Sequence, residues 1–190
     1  MPGNLLLISS IANQLLEASA ATAAQASEKV LAQLVEHFNL HYSFLRYSDH
    51  TIRASVLAAE WPPRSDVADP DPFAIVSFSS GHPALALCED GKDLIKVDDN
   101  YDEEGVSRCS VIRVSRSGAP MVAAAPLVSG TKTAGVLAFV KCRGRKWKPE
   151  AIYTLKTVAS LFAQFHARIS AEERLQHLAE HDDLTGLPNR

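Results

Sequence analysis

At 190 residues, with 46% hydrophobic and 22% charged side chains, the chain has an ordinary globular composition and enough length to bury a sizeable core. Its net charge of -3 supplies no overall attraction to nucleic acid or to an acidic membrane. Three widely spaced cysteines, Cys88, Cys109 and Cys142, with no C-x-x-C pair, argue against a disulfide framework or a structural zinc site and suit a reducing cytoplasm.

The N-terminal stretch has no basic residues ahead of its apolar run, and Asn13, Gln14 and Glu17 interrupt that run, so it reads as a helix rather than a signal peptide. Over residues 4–20, Leu7, Ile11 and Leu15 stand four apart with Ile8 and Leu16 beside them, the pattern of an amphipathic helix. A second helix is predicted over 23–39 through Val30, Leu31, Leu34, Val35 and Phe38, with Asn39 as its terminator. No apolar run approaches the roughly 18 residues of a membrane span.

The pattern then turns to strands. Residues 41–61 read as two strands around a polar turn at Ser48-Asp49-His50, followed by the Pro- and Asp-rich loop PPRSDVADPDP. FAIVSFSS is a short third strand, Gly81-His82-Pro83 opens a short helix, and LIKVDD is a fourth strand. EEGVSRCSVIRVSR has a weak helical pattern, rich in β-branched residues. MVAAAPLV and TAGVLAFVK form a hairpin closed by Ser129-Gly130-Thr131-Lys132, with Gly at a position suited to positive φ.

The basic loop KCRGRKWK leads to Pro149 at the start of a final helix, where Ile152, Leu155, Val158, Phe162, Phe165 and Ile169 follow at spacings of three and four. Beyond Ile169 only Leu175 and Leu178 continue the apolar seam. Roughly thirty residues at 1.5 Å each make a rod of about 45–50 Å, so half can pack on a sheet and half projects. Helices flanking hairpin-connected strands predict an α+β domain with a central antiparallel sheet. The apolar positions of the terminal helices, Leu7, Ile11 and Leu15 with Leu155, Phe162, Phe165 and Ile169, predict the seam of a homodimer, with Leu175 and Leu178 covered by the second chain. The chain closes on HDDLTGLPNR, where Gly186 and Pro188 signal a helix stop. A stop followed by nothing is the mark expected of a piece of a longer protein.

Three stretches resemble the GAF domain family. MVAAAPLVSGTKTAGVLAFV is similar to its last hairpin, with Pro126-Leu127 and Gly135-Val136-Leu137 in the matching places. HPALALCEDGKDLIKVDD resembles its helix-turn-strand, with Gly91 at the turn and Asp98 or Asp99 at the strand end. The last helix resembles the closing helix, with Trp147 before it. The likeness covers about residues 20–170. HDDLTGLPNR in turn resembles the opening of GGDEF domains, the bacterial diguanylate cyclases that make cyclic di-GMP from two GTP; Asp182, Leu184, Thr185, Gly186, Leu187, Asn189 and Arg190 all match. This resemblance implies that Asp182 and Arg190 pair across the turn and set the angle between linker helix and cyclase. It also implies that the cyclase residues that bind GTP and metal lie beyond Arg190.

The GAF resemblance implies a pocket between the sheet and the helical insertions, lined by Phe78, Cys88, Asp98, Tyr101, Arg108 and Arg113. Arg108 and Arg113 are five apart, so at most one faces inward on a regular helix; a ligand with an anionic group, such as a nucleotide, is compatible but not required. The cyclic-nucleotide signature of some GAF domains is not recognisable, and Cys88 lacks the aromatic and His context of a bilin-binding cysteine, so no cofactor is assigned. Cys88 and Cys109 stand in apolar runs, which favours buried thiols over the redox pair of the methionine sulfoxide-reducing GAF branch. His37 and His41, at i and i+4, straddle a helix end and do not make a metal site. The basic loop Lys141, Arg143, Arg145, Lys146 and Lys148 reads as a solvated hairpin end with Trp147 packed inward, rather than a nucleic-acid patch.

These readings divide the chain into an N-terminal dimerisation helix (1–20), a GAF domain (21–168), a linker helix (169–181) and the opening of a GGDEF domain (182–190). The expected function is ligand sensing with no chemistry of its own, in the cytoplasm, controlling a diguanylate cyclase through a dimeric linker helix, with a phosphodiesterase domain possible downstream. A ligand-free dimerisation scaffold and a cysteine-dependent redox enzyme are the alternatives.

Overall fold

A computed structural model describes residues 2–80, 95–97, 121–130, 132–141 and 147–180. Two helices, α1 (Pro2–Glu17) and α2 (Ala23–Phe38), precede the hairpin of β1 (Tyr42–Asp49) and β2 (Ala54–Trp61). Short strands β3 (Ile75–Ser77) and β4 (Ile95–Val97), a second hairpin of β5 (Met121–Ser129) and β6 (Lys132–Lys141), and the long helix α3 (Pro149–Glu180) follow. Among the described residues the strands form one six-stranded sheet in the order β3-β2-β1-β6-β5-β4, each neighbouring pair antiparallel. The helix-flanked antiparallel sheet is the α+β architecture that the sequence pattern predicts.

Local chemistry explains the boundaries. Asn39 ends α2 in the left-handed conformation (φ 48°), and Leu40 N–H reaches back 2.9 Å to the Val35 carbonyl, so the last turn is closed by its own backbone. The β1–β2 reversal comes later than the predicted Ser48–His50. Asp49 still pairs with Ala54, and its Oδ1 accepts from Thr51 N–H (2.9 Å) and Ile52 N–H (3.3 Å), which moves the turn beyond it. The third strand is also shorter than FAIVSFSS: it is Ile75–Ser77, and Phe78–Ser80 turns into a 3-10 helix that carries the Phe78 ring into the core.

Strand alternation divides the core between two faces of the sheet. Leu45, Ala123, Ala125, Leu127, Leu137 and Phe139 meet the helices, while Phe44, Val122, Ala124, Val136, Ala138 and Val140 point to the other side. Alanines along β5 let α3 lie close, and Leu155, Val158, Phe162, Phe165 and Ile169 fill that layer. Ile169 is the last buried position of α3; Leu175 is 67% exposed and Leu178 42%. Just before that boundary, Arg168 donates to the carbonyls of Leu15 (2.9 Å) and Ala18 (2.6 Å), supplying the end of α1 with the donors it lacks, while Glu172 holds the same guanidinium at 2.7 Å.

This packing corrects the predicted dimer seam. Ile11, Leu15, Leu155, Phe162, Phe165 and Ile169 are buried within their own chain, and Leu7 packs against the same cluster. The sheet's apolar helix-side face requires all three helices to cover it, so these side chains are already taken. The large apolar side chains left exposed on α1 are instead Leu5, Leu6 and Leu16.

Candidate functional site

The face of the sheet turned away from the helices carries the polar groups with the most constrained geometry. Alternation along β1 puts Tyr42, Phe44 and Arg46 on this side, so a guanidinium follows two aromatics inward. Arg46 is fully buried. Its Nε donates to Ser55 Oγ (2.6 Å), its Nη1 to the Phe73 carbonyl (2.6 Å), and its Nη2 to the carbonyls of Ser55 (2.7 Å) and Ala74 (3.3 Å). These bonds fasten the loop before β3 onto the β1–β2 hairpin.

Phe73 receives a second cation. The Arg46 guanidinium lies 4.4 Å from its ring centroid and that of Arg64 lies 4.8 Å away. Arg64 bonds both oxygens of Asp71 (3.1 and 2.7 Å) and Glu60 Oε2 (2.6 Å), and Tyr42 donates its hydroxyl to the same Glu60 oxygen. The bidentate Arg64 bonds hold the Asp71 carboxyl below its usual range and raise the guanidinium's own pKa. Burial, with the Glu60 hydrogen bond second, pushes the Tyr42 phenol well above its ordinary value, so it remains a donor. The corner is therefore a set of fixed charges joined to one another. It suits holding a shape or orienting a ligand, and it offers no activated nucleophile.

Of the predicted pocket residues, Phe78 lies on this face, 6% exposed and packed in the cluster with Phe44 and Phe73. Its ring is 5.9 Å from His50, whose Nε2–H donates to the Thr133 carbonyl at 2.9 Å. Cys88, Asp98, Tyr101, Arg108 and Arg113 lie outside the described residues, as do Cys109, Asp182 and Arg190. Among the described residues no three His, Cys, Asp or Glu stand together as a metal site, and no helix is long and apolar enough to cross a membrane. His37 is joined to Asn4 Oδ1 at 2.8 Å, a link between α2 and α1. Trp147 packs inward, as the sequence pattern favoured, with Lys141 Nζ 5.1 Å from its ring; burial and then Lys148 lower the pKa of that amine.

Sequence reasoning missed the Arg46 anchor and the Tyr42–Glu60–Arg64–Asp71 corner. The signal for Arg46 was present in YSFLR, where a charge shares the face of two aromatics. Arg64 and Asp71 carry no such signal, because they sit in a loop without period.

Comparison with known proteins bears on the whole. The family model described as GAF domain matches residues 22–165. The uncharacterized protein Rv1354c of Mycobacterium tuberculosis is 46% identical over 186 residues, which is 97% of this chain and 29% of that protein. The chain thus spans under a third of the length of the curated relatives it matches. The GAF domain of an Acinetobacter phosphoenolpyruvate-protein phosphotransferase superposes with a TM-score of 0.70 at 11% identity, over 90% of this chain and 96% of that one. The phycoerythrobilin-bound GAF domain of a cyanobacterial phytochrome gives 0.67 at 10% identity, over 90% and 97%. At such identities the likeness establishes the fold.

Proposed function

Because the chain belongs to the GAF domain family, a regulatory and sensory fold of signalling proteins, we propose that it senses a small molecule and controls a diguanylate cyclase in the same polypeptide. The observation that carries this reading is HDDLTGLPNR, whose seven matching residues resemble a cyclase opening, placed directly after a helix whose last eleven residues, Ser170–Glu180, lie beyond the last buried position. Residues 1–20 are an N-terminal helix that contributes to dimerisation, 21–168 the sensor, 169–181 the linker helix and 182–190 the start of the cyclase. The pocket is the sheet face that holds Phe78, completed by Cys88, Asp98, Tyr101, Arg108 and Arg113, and its ligand is a compact molecule such as one bearing an anionic group. The phycoerythrobilin held by one structural relative is a precedent for a small molecule in this fold. The protein works in the cytoplasm as a homodimer, because two GTP-loaded cyclase domains must meet to make one product. Leu5 and Leu16 of α1 and Leu175 of α3, all largely exposed, are the side chains we assign to that interface.

The test is enzymatic. With GTP and magnesium, residues 1–190 alone make no cyclic di-GMP, whereas the full-length protein makes it, and Asp182→Ala or Arg190→Ala in the full-length protein alters its rate while leaving the GTP site intact. Product from the 190-residue chain, or none from the full-length protein, would overturn the reading. A second reading draws on Phe44, Phe73 and Phe78, which fill part of the sheet face with the chain's own rings. On that reading the domain is a ligand-free scaffold, and native mass spectrometry of purified protein separates the two: a retained small molecule favours the sensor, bare polypeptide the scaffold.

A further inference from the structure

A cavity of about 240 Å³ opens on the helix side of the sheet, across from Phe78, between α2, α3 and the β1–β2 hairpin. It exists because small side chains stand where a core would place large ones: Ala58 on β2 and Ser27 on α2 leave the space between the elements unfilled. One wall is aromatic. The Tyr47 and His166 rings lie 3.9 Å apart, tilted by 35°. Glu173 borders the same cavity, seven residues on from His166 and so on the same face of α3. It is exposed and makes no ion pair among the described residues.

The chemistry of this lining selects a charge. Among the described residues no Lys or Arg borders the cavity, so an anion would find no countercharge from them. Burial lowers the pKa of His166, outweighing the opposite pull of Glu173, so the imidazole is neutral at physiological pH and adds no positive charge. A carboxylate beside an aromatic wall, over an apolar floor, is an environment that holds an ammonium: Coulombic attraction from the carboxylate, and contact of the organic body with the outer surface of the ring pair. The volume lies below the roughly 300–1,000 Å³ typical of drug-sized ligands, which limits the occupant to a compact one.

We propose that this cavity is a second binding site, separate from the Phe78 face, for a small organic cation: an ammonium on a compact aromatic or alkyl body, held by the Glu173 carboxylate and the Tyr47–His166 ring pair. Its position gives it a consequence. The cavity joins the β1–β2 hairpin to residues 166–173 of α3, which include Ile169, the last buried position, so an occupant ties the first projecting turn to the sheet.

Benzylammonium is the probe, with benzyl alcohol and benzoate as comparators of the same shape, each titrated into the 190-residue chain at neutral pH while the ring-proton resonances of His166 and Tyr47 are followed by NMR. Benzylammonium is expected to shift both sets saturably, with a Kd on the order of 1 mM, benzyl alcohol to bind about two- to fivefold more weakly, and benzoate more weakly still. Glu173→Gln should weaken benzylammonium by about two- to fivefold, the range for a charge pair at an exposed carboxylate. Ala24→Trp, which places a large side chain at the rim, should abolish the shifts. Both altered residues are exposed, so the fold is retained. Equal binding of benzyl alcohol, indifference to Glu173→Gln, binding that survives Ala24→Trp, or no saturable shift with any probe would each overturn the proposal.

Discussion

Arg46 is the residue on which the sheet's second face turns, because a fully buried guanidinium persists only where its donors have acceptors. Lysine at this position keeps the charge but cannot span Ser55 on one side and the Phe73 and Ala74 carbonyls on the other. Arg46→Lys should therefore cost about 2–3 kcal/mol in urea unfolding, and Arg46→Ala about 3 kcal/mol or more; a loss under about 1 kcal/mol for Arg46→Ala would mean that water replaces the guanidinium. A different residue sets a pH dependence. Burial depresses the folded-state pKa of His166 below its unfolded value of about 6.5, so the unfolded chain takes up the proton more readily. This contribution to stability is complete above about pH 6.5 and falls away as the pH drops through the window beneath it. The melting temperature should fall between about pH 8 and pH 5, and by less in His166→Phe, which keeps an aromatic ring on Tyr47 but removes the titrating group; identical losses in the two proteins would assign the effect to other groups. The alternation of β1 carried a signal for Arg46 that was not read, and Phe78 was named from family likeness. The Arg64–Asp71 pair was not legible, because residues 62–74 follow no period and only the folded loop brings those two together.

Two glycines show how the elements differ in tolerance. Gly135 of β6 faces β1 so closely that a Cβ there would stand 2.0 Å from the Arg46 carbonyl oxygen and 2.9 Å from the Tyr47 Cα, both backbone atoms that move only if the strands part. Gly130, in the β5–β6 turn, adopts φ +63° but has open space around it. Gly130→Ala should thus cost only the left-handed penalty of about 1–2 kcal/mol, while Gly135→Ala should cost more, about 3 kcal/mol or above, as expected of a backbone clash. Thermal melts of the two variants check the order, and a Gly135→Ala protein as stable as Gly130→Ala would show that β1 and β6 separate cheaply. The hairpin itself was readable in its sequence, since the turn glycine and flanking apolar runs are local signals. A short third strand was also readable, but its end at Ser77 was not, because that end is set by Phe78 turning into a core built from distant strands.

At the scale of the whole molecule the three helices and the sheet form one apolar layer, and the dimer proposal must use what that layer leaves outside. Leu155→Asp places a charge at a fully buried position and should unfold the chain rather than dissociate it. Leu5→Glu with Leu16→Glu alters two exposed positions and should leave a folded monomer. Sedimentation at about 10 μM, roughly ten times a Kd of 1 μM on the usual affinity scale, distinguishes these outcomes; a folded monomer already in the unaltered chain would remove dimerisation from the mechanism. The sequence pattern identified the apolar faces of α1 and α3 correctly but assigned them to a partner, since periodicity shows that a face is buried without showing against what.

The Arg168 cap makes α1 and α3 mechanically one body up to Ile169, the pivot from which α3 continues alone. Ser170–Glu180 is then a lever arm of eleven residues, about 16 Å long at 1.5 Å each, so a tilt of about 10° at the pivot swings its tip by about 3 Å. Displacements near the pivot too small to disturb the core are amplified along this arm, and the gain is fixed by helix length. Inserting or deleting residues in this arm would therefore retune both the amplitude and, through the 100° turn per residue, the direction of the output stroke.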